Sequence, residues 1–198
     1  MNSLSLSEAL ELVRDPNAKP HELYALLKLN SPPIRAALAQ RDKVHSSLLH
    51  MLLEDDALWP ALARNPNSGV PTLQFLASQS EVLAVTVVGN PSCPRALLSS
   101  LVHHSSVAVR SAVAHHKRTS PFLLKILSTD SSPAVRMACL EGPNVRLSLV
   151  QTLALDPDSQ VRAAALAYIS RFEPEIADAL VRDHQAREAA RVRMARAH

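Results

Sequence analysis

The stretches SPAVRMACL (residues 132–140) and DSQVRAAAL (residues 158–166) share one pattern. Each follows an aspartate two positions earlier, Asp130 or Asp156, and continues through a Val-Arg pair into small and apolar residues. A pattern that recurs at a fixed distance indicates a repeated structural unit. The apolar residue of the Val-Arg pair therefore serves as a marker for further copies.

The marker recurs along most of the chain at intervals of about 24–26 residues, a period typical of repeat architectures. The six marker positions are Ile34, Leu58, Leu83, Val109, Val135 and Val161. After each marker come a short apolar segment, a turn, and a second segment whose leucines follow i, i+3, i+4 spacing, which is typical of one helix face. We therefore predict about six units of two short helices each. A unit this small cannot bury its apolar face alone, so the units are expected to stack.

The composition favours an all-α protein. The chain has 198 residues, of which 47% are hydrophobic, and it contains only 3 Gly against 14 Pro. Few glycines argue against tight β-hairpins, whereas many prolines suit the first turns of short helices. No run is long and apolar enough to span a membrane, and the N-terminus lacks the pattern of a secretory signal. Cys93 and Cys139 are the only cysteines, which favours a reducing, cytoplasmic location.

Both flanks of the marker series are predicted to be capping helices. Ser5 and Glu8 have the spacing of a capping box, and Pro174 begins a long helical pattern with a basic end. A solenoid needs terminal helices with a polar outer face. The prediction is one domain over residues 1–198, made of an N-terminal capping helix (1–14), the repeats (15–170) and a C-terminal capping helix (171–198).

The pattern resembles known repeat families. Asp-x4-Val-Arg at Asp130 and Asp156 is similar to the ladder signature of HEAT repeats. The short period and the Asn-Pro turn at Asn65 resemble the variant leucine-rich repeat, a HEAT-like α-solenoid family. The resemblance covers roughly residues 15–170. It implies a right-handed α-solenoid, and it says little about function because solenoids are mostly binding scaffolds with diverse partners.

The resemblance also implies a ladder of charged side chains between layers. Its residues would be Arg35, Arg110, Asp130, Arg136, Asp156 and Arg162. His104 replaces the acid before Arg110, which is expected to leave that guanidinium freer, and Trp59 and Ala84 replace the arginine. The ladder is therefore expected to be weak in the second and third units. The alternative, an arginine column that clamps phosphate or carboxylate ligands, is less favoured because an aspartate stands in register before two of the arginines.

The middle of the chain is predicted to present a positive surface. Residues 82–129 contain five basic side chains, no acidic one, and four histidines. Such a surface favours an acidic protein segment or a nucleic acid. His115 and His116 are expected to be exposed where a first helix ends. The predicted partner-binding residues are Arg95, Arg110, His115, His116, Lys117 and Arg118.

The favoured function is a non-enzymatic scaffold that binds an acidic protein segment, and the alternative is nucleic-acid binding through residues 82–129. Aromatics make up only 3% of the chain and are expected mostly in the core, which argues against stacking on single strands. A glycosylase-like enzyme is a third possibility. It is remote, because the sequence contains no recognisable catalytic motif. Adjacent histidines point apart on a helix, and two cysteines cannot hold an iron–sulfur cluster. No metal, cofactor, membrane or small-molecule substrate is therefore predicted.

Overall fold

The computed structural model describes residues 4–196, and over this range every regular element is helical. This confirms the all-α class. Two 3₁₀ turns, Leu52–Glu54 and Asp56–Leu58, lie between the fourth and fifth helices. The α-helices are α1 (Leu6–Arg14), α2 (Pro20–Leu27), α3 (Pro32–Gln40), α4 (Ser46–Met51), α5 (Trp59–Arg64), α6 (Val70–Gln79), α7 (Glu81–Gly89), α8 (Arg95–Leu101), α9 (Val107–His115), α10 (Pro121–Leu127), α11 (Pro133–Glu141), α12 (Leu147–Leu153), α13 (Ser159–Phe172) and α14 (Pro174–Arg196).

The helices begin where the sequence supplies a cap. Ser5 and Glu8 form the predicted capping box at α1. The hydroxyls of Ser80, Ser106 and Ser120 accept backbone N–H groups at the starts of α7, α9 and α10. Prolines stand in the first turns of α2, α3, α5, α6, α10 and α11, where the missing N–H costs no intrahelical hydrogen bond. Local signals of this kind keep most helices short.

The contacts divide the chain into two compact units, residues 1–100 and 101–198. We call the helices that contain or directly follow a marker residue the marker helices; they are α3, α5, α7, α9, α11 and α13. In the first unit they pack in series, α3 against α5 and α5 against α7, and α1 packs against α3. In the second unit α9 packs against α11 and α11 against α13. All six markers are buried, at 8% exposure or less. The marker residues therefore belong to the core of each unit, in which successive first helices pack together.

The second helices supply the remaining core leucines. In the first unit, Leu73 and Leu76 of α6 are at most 1% exposed. In the second unit, Leu124 and Leu127 of α10 are at most 2% exposed. These i, i+3 pairs are the helix face that the leucine spacing predicts.

The last helix, α14, begins at the predicted Pro174 and packs against α13. Ala177 is the one buried apolar residue along its described length. Residues 197 and 198 of the predicted capping segment lie outside the described residues. No helix between residues 4 and 196 combines the length and the apolar character needed to cross a membrane.

Candidate functional site

Two arginines of the second unit form bidentate ion pairs with aspartates that lie 20 residues further along the chain. Nε and Nη2 of Arg136 donate to Asp156 at 2.7 and 2.8 Å. Nε and Nη2 of Arg110 donate to Asp130 at 2.6 and 2.9 Å. Each arginine therefore pairs with the acid that precedes the next marker helix, and not with the acid that precedes its own. Bidentate pairs of this kind are the strong form of the arginine–carboxylate contact.

The residue six positions before each arginine contributes its backbone carbonyl instead of its side chain. Nη1 of Arg136 donates to the carbonyl of Asp130 at 2.7 Å, and Nη1 of Arg110 donates to that of His104 at 2.7 Å. Any residue can supply a carbonyl, so His104 does not weaken this contact. The expectation that His104 leaves Arg110 freer is wrong. Arg110, whose side chain is 12% exposed, belongs with the ladder and not with a binding surface.

Both acids of these pairs are held in the charged form. The hydrogen bond from Arg110 lowers the pKa of Asp130 and outweighs the opposing effect of burial. Burial acts to raise the pKa of Asp156, but hydrogen bonds from Arg136 and from the backbone N–H of Asp158 overcome it, so that the pKa is lowered. The pairs are therefore ionic at neutral pH.

A different ladder, made of asparagine amides, runs through the first unit. Nδ2 of Asn65 donates to the carbonyls of Ala39 and Arg41 at 2.8 and 3.0 Å. Nδ2 of Asn90 donates in the same way to the carbonyls of Ala63 and Asn65 at 2.8 and 2.9 Å. Both asparagines are the C-caps of marker helices and both are buried. By comparison, the arginine–aspartate contact here is loose, with 3.9 Å between Arg35 and Asp55.

The sequence pattern did not predict this second ladder, because Asn-Pro is a common turn signal and by itself indicates only a turn. The turn is real, since Oδ1 of Asn65 accepts the N–H of Asn67 at 2.9 Å, and Oδ1 of Asn90 accepts that of Ser92 at 2.9 Å. The available clue was the recurrence of Asn-Pro at Asn65 and again at Asn90, one marker interval later. One side chain thus caps its own helix and also holds the preceding one.

His116 occupies the C-cap position of α9 and is buried, at 7% exposure. Its Nδ1 accepts the backbone N–H of Arg118 at 3.1 Å, which is the turn contact that Asn65 and Asn90 make with Oδ1. The prediction of an exposed His116 is therefore wrong. The C-cap side chains of α3, α5, α7 and α9 are all buried, because backbone groups near the helix ends need hydrogen-bond partners.

His115 is exposed, but it faces an acid. Its Nε2 lies 3.2 Å from Oε2 of Glu141, which is 26 residues further along the chain, and its Nδ1 lies 2.9 Å from the carbonyl oxygen of Ser111. Glu141 and Asp130 thus bring negative charge against a segment that has none in sequence. Residues 82–129 contain no acidic residue, but in the folded protein Asp130 and Glu141 contact Arg110 and His115 of this segment.

Lys117 and Arg118 are predicted binding residues that the structure places at an exposed position of the second unit. They lie in the turn between α9 and α10. Arg95, at the start of α8 in the first unit, is also exposed. With His116 buried, Arg110 largely buried and paired with Asp130, and His115 beside Glu141, the positive surface of the second unit is smaller than the sequence suggests.

A groove between α10 and α12 extends this positive surface. It encloses about 390 Å³, and its lining contains the basic residues Lys125 and Arg146 and no acid. The lining residues are Pro121, Leu124, Lys125, Ser128, Thr129, Asn144, Arg146, Ser148, Leu149 and Thr152. Leu149 supplies partly exposed apolar surface, and the exposed hydroxyl oxygens of Thr129 and Thr152, whose protons bind helix carbonyls, supply hydrogen-bond acceptors. We call this site the basic groove.

The basic groove adjoins the Lys117–Arg118 turn. Nδ2 of Asn144, which lines the groove, donates to the carbonyls of Lys117 and Thr119 at 2.9 and 3.1 Å. Phe122 on α10 is 71% exposed, although its position suggested a core residue. Sequence analysis missed Arg146 because it lies beyond the acid-free segment.

Cys139 is buried and forms no disulfide. Burial raises the pKa of the Cys139 thiol to about 12, so this thiol is protonated at neutral pH and is a poor nucleophile. Between residues 4 and 196, no three side chains of His, Cys, Asp or Glu come together as metal ligands. Cationic groups such as those of the basic groove bind carboxylates or phosphates through non-covalent, charge-assisted hydrogen bonds.

Comparisons of the chain with protein-family models, curated proteins and solved structures find no match. The resemblance to HEAT-like repeats therefore rests on the sequence pattern alone.

Proposed function

We propose that the chain is a non-enzymatic scaffold that binds an acidic segment of a partner protein in the basic groove of its second unit. The architecture behind this proposal is a right-handed α-solenoid of about six HEAT-like or variant leucine-rich repeats, with α14 as its terminal cap. The expected location is the cytoplasm. The main observation behind this function is that Lys125 and Arg146 line the same groove and that no acidic residue lines it.

Serial packing within each unit supports the solenoid. Marker helices contact their neighbours in order, and a buried apolar marker residue lies in each of them or, for Leu58, directly before it. The same hydrogen bonds recur from one marker helix to the next, in the asparagine ladder of the first unit and the arginine–aspartate ladder of the second. Interactions that repeat only between neighbours are the property that defines solenoid proteins.

The chemistry of the basic groove supports an acidic polypeptide as the ligand. Lys125 and Arg146 can each pair with a carboxylate, and the exposed hydroxyl oxygens of Thr129 and Thr152, whose protons bind helix carbonyls, can accept backbone N–H groups of an extended segment. Leu149, which is partly exposed, offers apolar surface to an aliphatic side chain of the same segment. A segment in which acids alternate with an apolar residue matches both properties.

A nucleic acid matches the groove less well. No aromatic residue lines it, whereas proteins that bind single strands stack bases on aromatic rings. The four exposed cations at Lys117, Arg118, Lys125 and Arg146 are few for duplex binding, which relies on many phosphate contacts. Nucleic-acid binding is therefore the outcome that an experiment has to exclude.

A pull-down from native lysate, with and without nuclease, separates the two functions. The bait variants are the groove double mutant Lys125→Glu/Arg146→Glu and a control, Arg171→Glu/Arg193→Glu, which makes the same charge change at exposed positions of α13 and α14. We expect partner proteins that survive nuclease, that remain with the control, and that are lost with the groove mutant. Loss of every partner on nuclease treatment would favour nucleic acid, and retention by the groove mutant would contradict the site.

A further inference from the structure

Arg162 makes the carbonyl contacts of the arginine–aspartate ladder but lacks the aspartate pair. Nη1 of Arg162 donates to the carbonyls of Asp156 and Pro157 at 2.6 and 3.3 Å, and this repeats the carbonyl contacts of Arg110 and Arg136. In those two arginines, Nε and Nη2 then clamp an aspartate 20 residues further on.

The residue at the corresponding position after Arg162 is an arginine, Arg182, and cannot supply the carboxylate. Over residues 4–196, no acidic side chain forms an ion pair with Arg162. Arg162 is only partly buried, so that ligands from solution can reach it. Asp156 is near enough for the charge of Arg162 to help lower its pKa, but its carboxylate is bound to Arg136, so the guanidinium edge that the ladder uses has no hydrogen-bonded carboxylate within this part of the chain.

Arg162 lines a cavity of about 580 Å³ between the start of α13 and the middle of α14. The cavity is lined by Leu155, Asp156, Pro157, Arg162, His184, Arg187, Glu188 and Arg191. We call it the terminal cavity. It shares no lining residue with the basic groove, so its ligand can be tested independently of the proposed function.

The charges of the terminal cavity leave an excess of one positive charge. Asp156 is neutralised by Arg136, and Arg187 pairs with Asp183 at 2.8 Å. The remaining cations are Arg162 and Arg191, and Glu188 opposes them. With neutral histidine the balance is +1, which suits one carboxylate better than a phosphate dianion.

We propose that the terminal cavity binds a carboxylate group, held by Nε and Nη2 of Arg162 and attracted by Arg191. We expect the geometry of the Arg110–Asp130 and Arg136–Asp156 pairs, in which the carboxylate oxygens lie 2.6–2.9 Å from Nε and Nη2 of the arginine. The ligand is an aspartate or glutamate side chain of another polypeptide or a small free carboxylate, and these share the same chemistry.

The test follows the ¹H–¹⁵N signal of the Arg162 Nε–H group in the full chain, assigned by its loss in Arg162→Lys. The ligands are acetate, the capped peptide Asp-Ser-Ser-Pro, which copies residues 130–133, and inorganic phosphate, all at equal ionic strength. The matched control peptide carries asparagine in place of aspartate.

We expect acetate or the aspartate peptide to move the signal saturably, and the asparagine peptide to leave it in place. A lower midpoint for the peptide assigns a polypeptide ligand, and equal midpoints assign a small carboxylate. No shift with either, an equal shift with the asparagine peptide, or a lower midpoint for phosphate would overturn the proposal.

Two exposed positions keep the test independent of folding. Arg191→Gln should raise the midpoint, by about threefold to tenfold for the loss of one charge-assisted contact. Glu188→Gln should lower the midpoint, because it removes the opposing charge. If instead the wild-type signal responds to no carboxylate and the Glu188→Gln protein responds strongly, Glu188 itself occupies the site and the proposal fails.

Discussion

The carboxylate of Asp156 accepts Nε and Nη2 of Arg136, a residue 20 positions earlier, and both side chains are buried. Asp156 also accepts Nη1 of Arg162 at its backbone carbonyl, and its Oδ1 accepts the N–H of Asp158. One residue in a short loop thus connects α11 with α13. The loop between α12 and α13, which contains Asp156, is fixed by ionic hydrogen bonds as well as by apolar packing.

Replacement of Asp156 by asparagine should strongly destabilise the protein. The guanidinium of Arg136 would remain buried without its counter-ion, which typically costs about 3–5 kcal/mol. The measurement is the free energy of urea unfolding of the full chain. The matched control is Asp158→Asn in the same loop, because asparagine also caps helices well and should cost less than about 0.5 kcal/mol. Equal losses for the two variants would contradict the ladder.

Acid should weaken the second unit through Asp130. Its folded-state pKa is lowered, chiefly by the hydrogen bond from Arg110, so its stabilising effect is complete above the ordinary value of 3.8. The effect is lost as the pH falls from there through the folded-state pKa, because the unfolded chain takes up the proton first. Urea midpoints measured down to low pH should therefore fall more steeply for the wild type than for Asp130→Asn. Parallel curves would show that the pair contributes nothing.

Gly142 should not tolerate a methyl group, for a steric reason. A Cβ there would lie 2.5 Å from the backbone oxygen of Ala114, and the φ angle of −70° needs no glycine. Gly142→Ala is expected to cost about 1–3 kcal/mol through forced backbone movement. At Gly89 a Cβ would meet nothing within 4 Å, so Gly89→Ala should be neutral or stabilise by about 0.4–1 kcal/mol. Thermal melting of both variants decides this, and similar melting temperatures would count against the close approach at Gly142.

Asn65 offers a test of the asparagine ladder in the first unit. In Asn65→Asp, a carboxylate would face the carbonyls of Ala39 and Arg41 in place of the amide donor. Asn65→Asp should therefore destabilise more than Asn65→Ala at neutral pH, since a buried unpaired charge costs more than a lost hydrogen bond. The difference, measured by urea unfolding, should shrink in acid as the new carboxyl takes up a proton. A milder effect for aspartate than for alanine at neutral pH would contradict the ladder.

The sequence predicted the helices well because their signals are local. Prolines, serine caps and leucine spacing decide where α3, α6 and α10 begin and which face is buried. The markers were predictable for the same reason, since one buried apolar residue recurs in each marker helix.

The partners of polar side chains were less predictable because they come from neighbouring repeats. The pattern shows Asp130 just before Arg136, but the structure pairs Asp130 with Arg110. Glu141 lies against His115 across 26 residues of sequence. A count of charges along the chain cannot reveal these distant pairings, and so the predicted binding surface was too large and omitted Arg146.

The most direct test of the proposed function is the affinity of the protein for a fluorescein-labelled peptide in which glutamates flank two leucines. Fluorescence anisotropy at low salt gives Kd for the wild type, for Lys125→Glu/Arg146→Glu, and for the control Arg171→Glu/Arg193→Glu. We predict at least about tenfold weaker binding for the groove variant, wild-type affinity for the control, and weakening with added salt, since two attractive charges become repulsive. Wild-type affinity in the groove variant, or tighter binding of a labelled single-stranded oligonucleotide than of the peptide, would contradict the proposal.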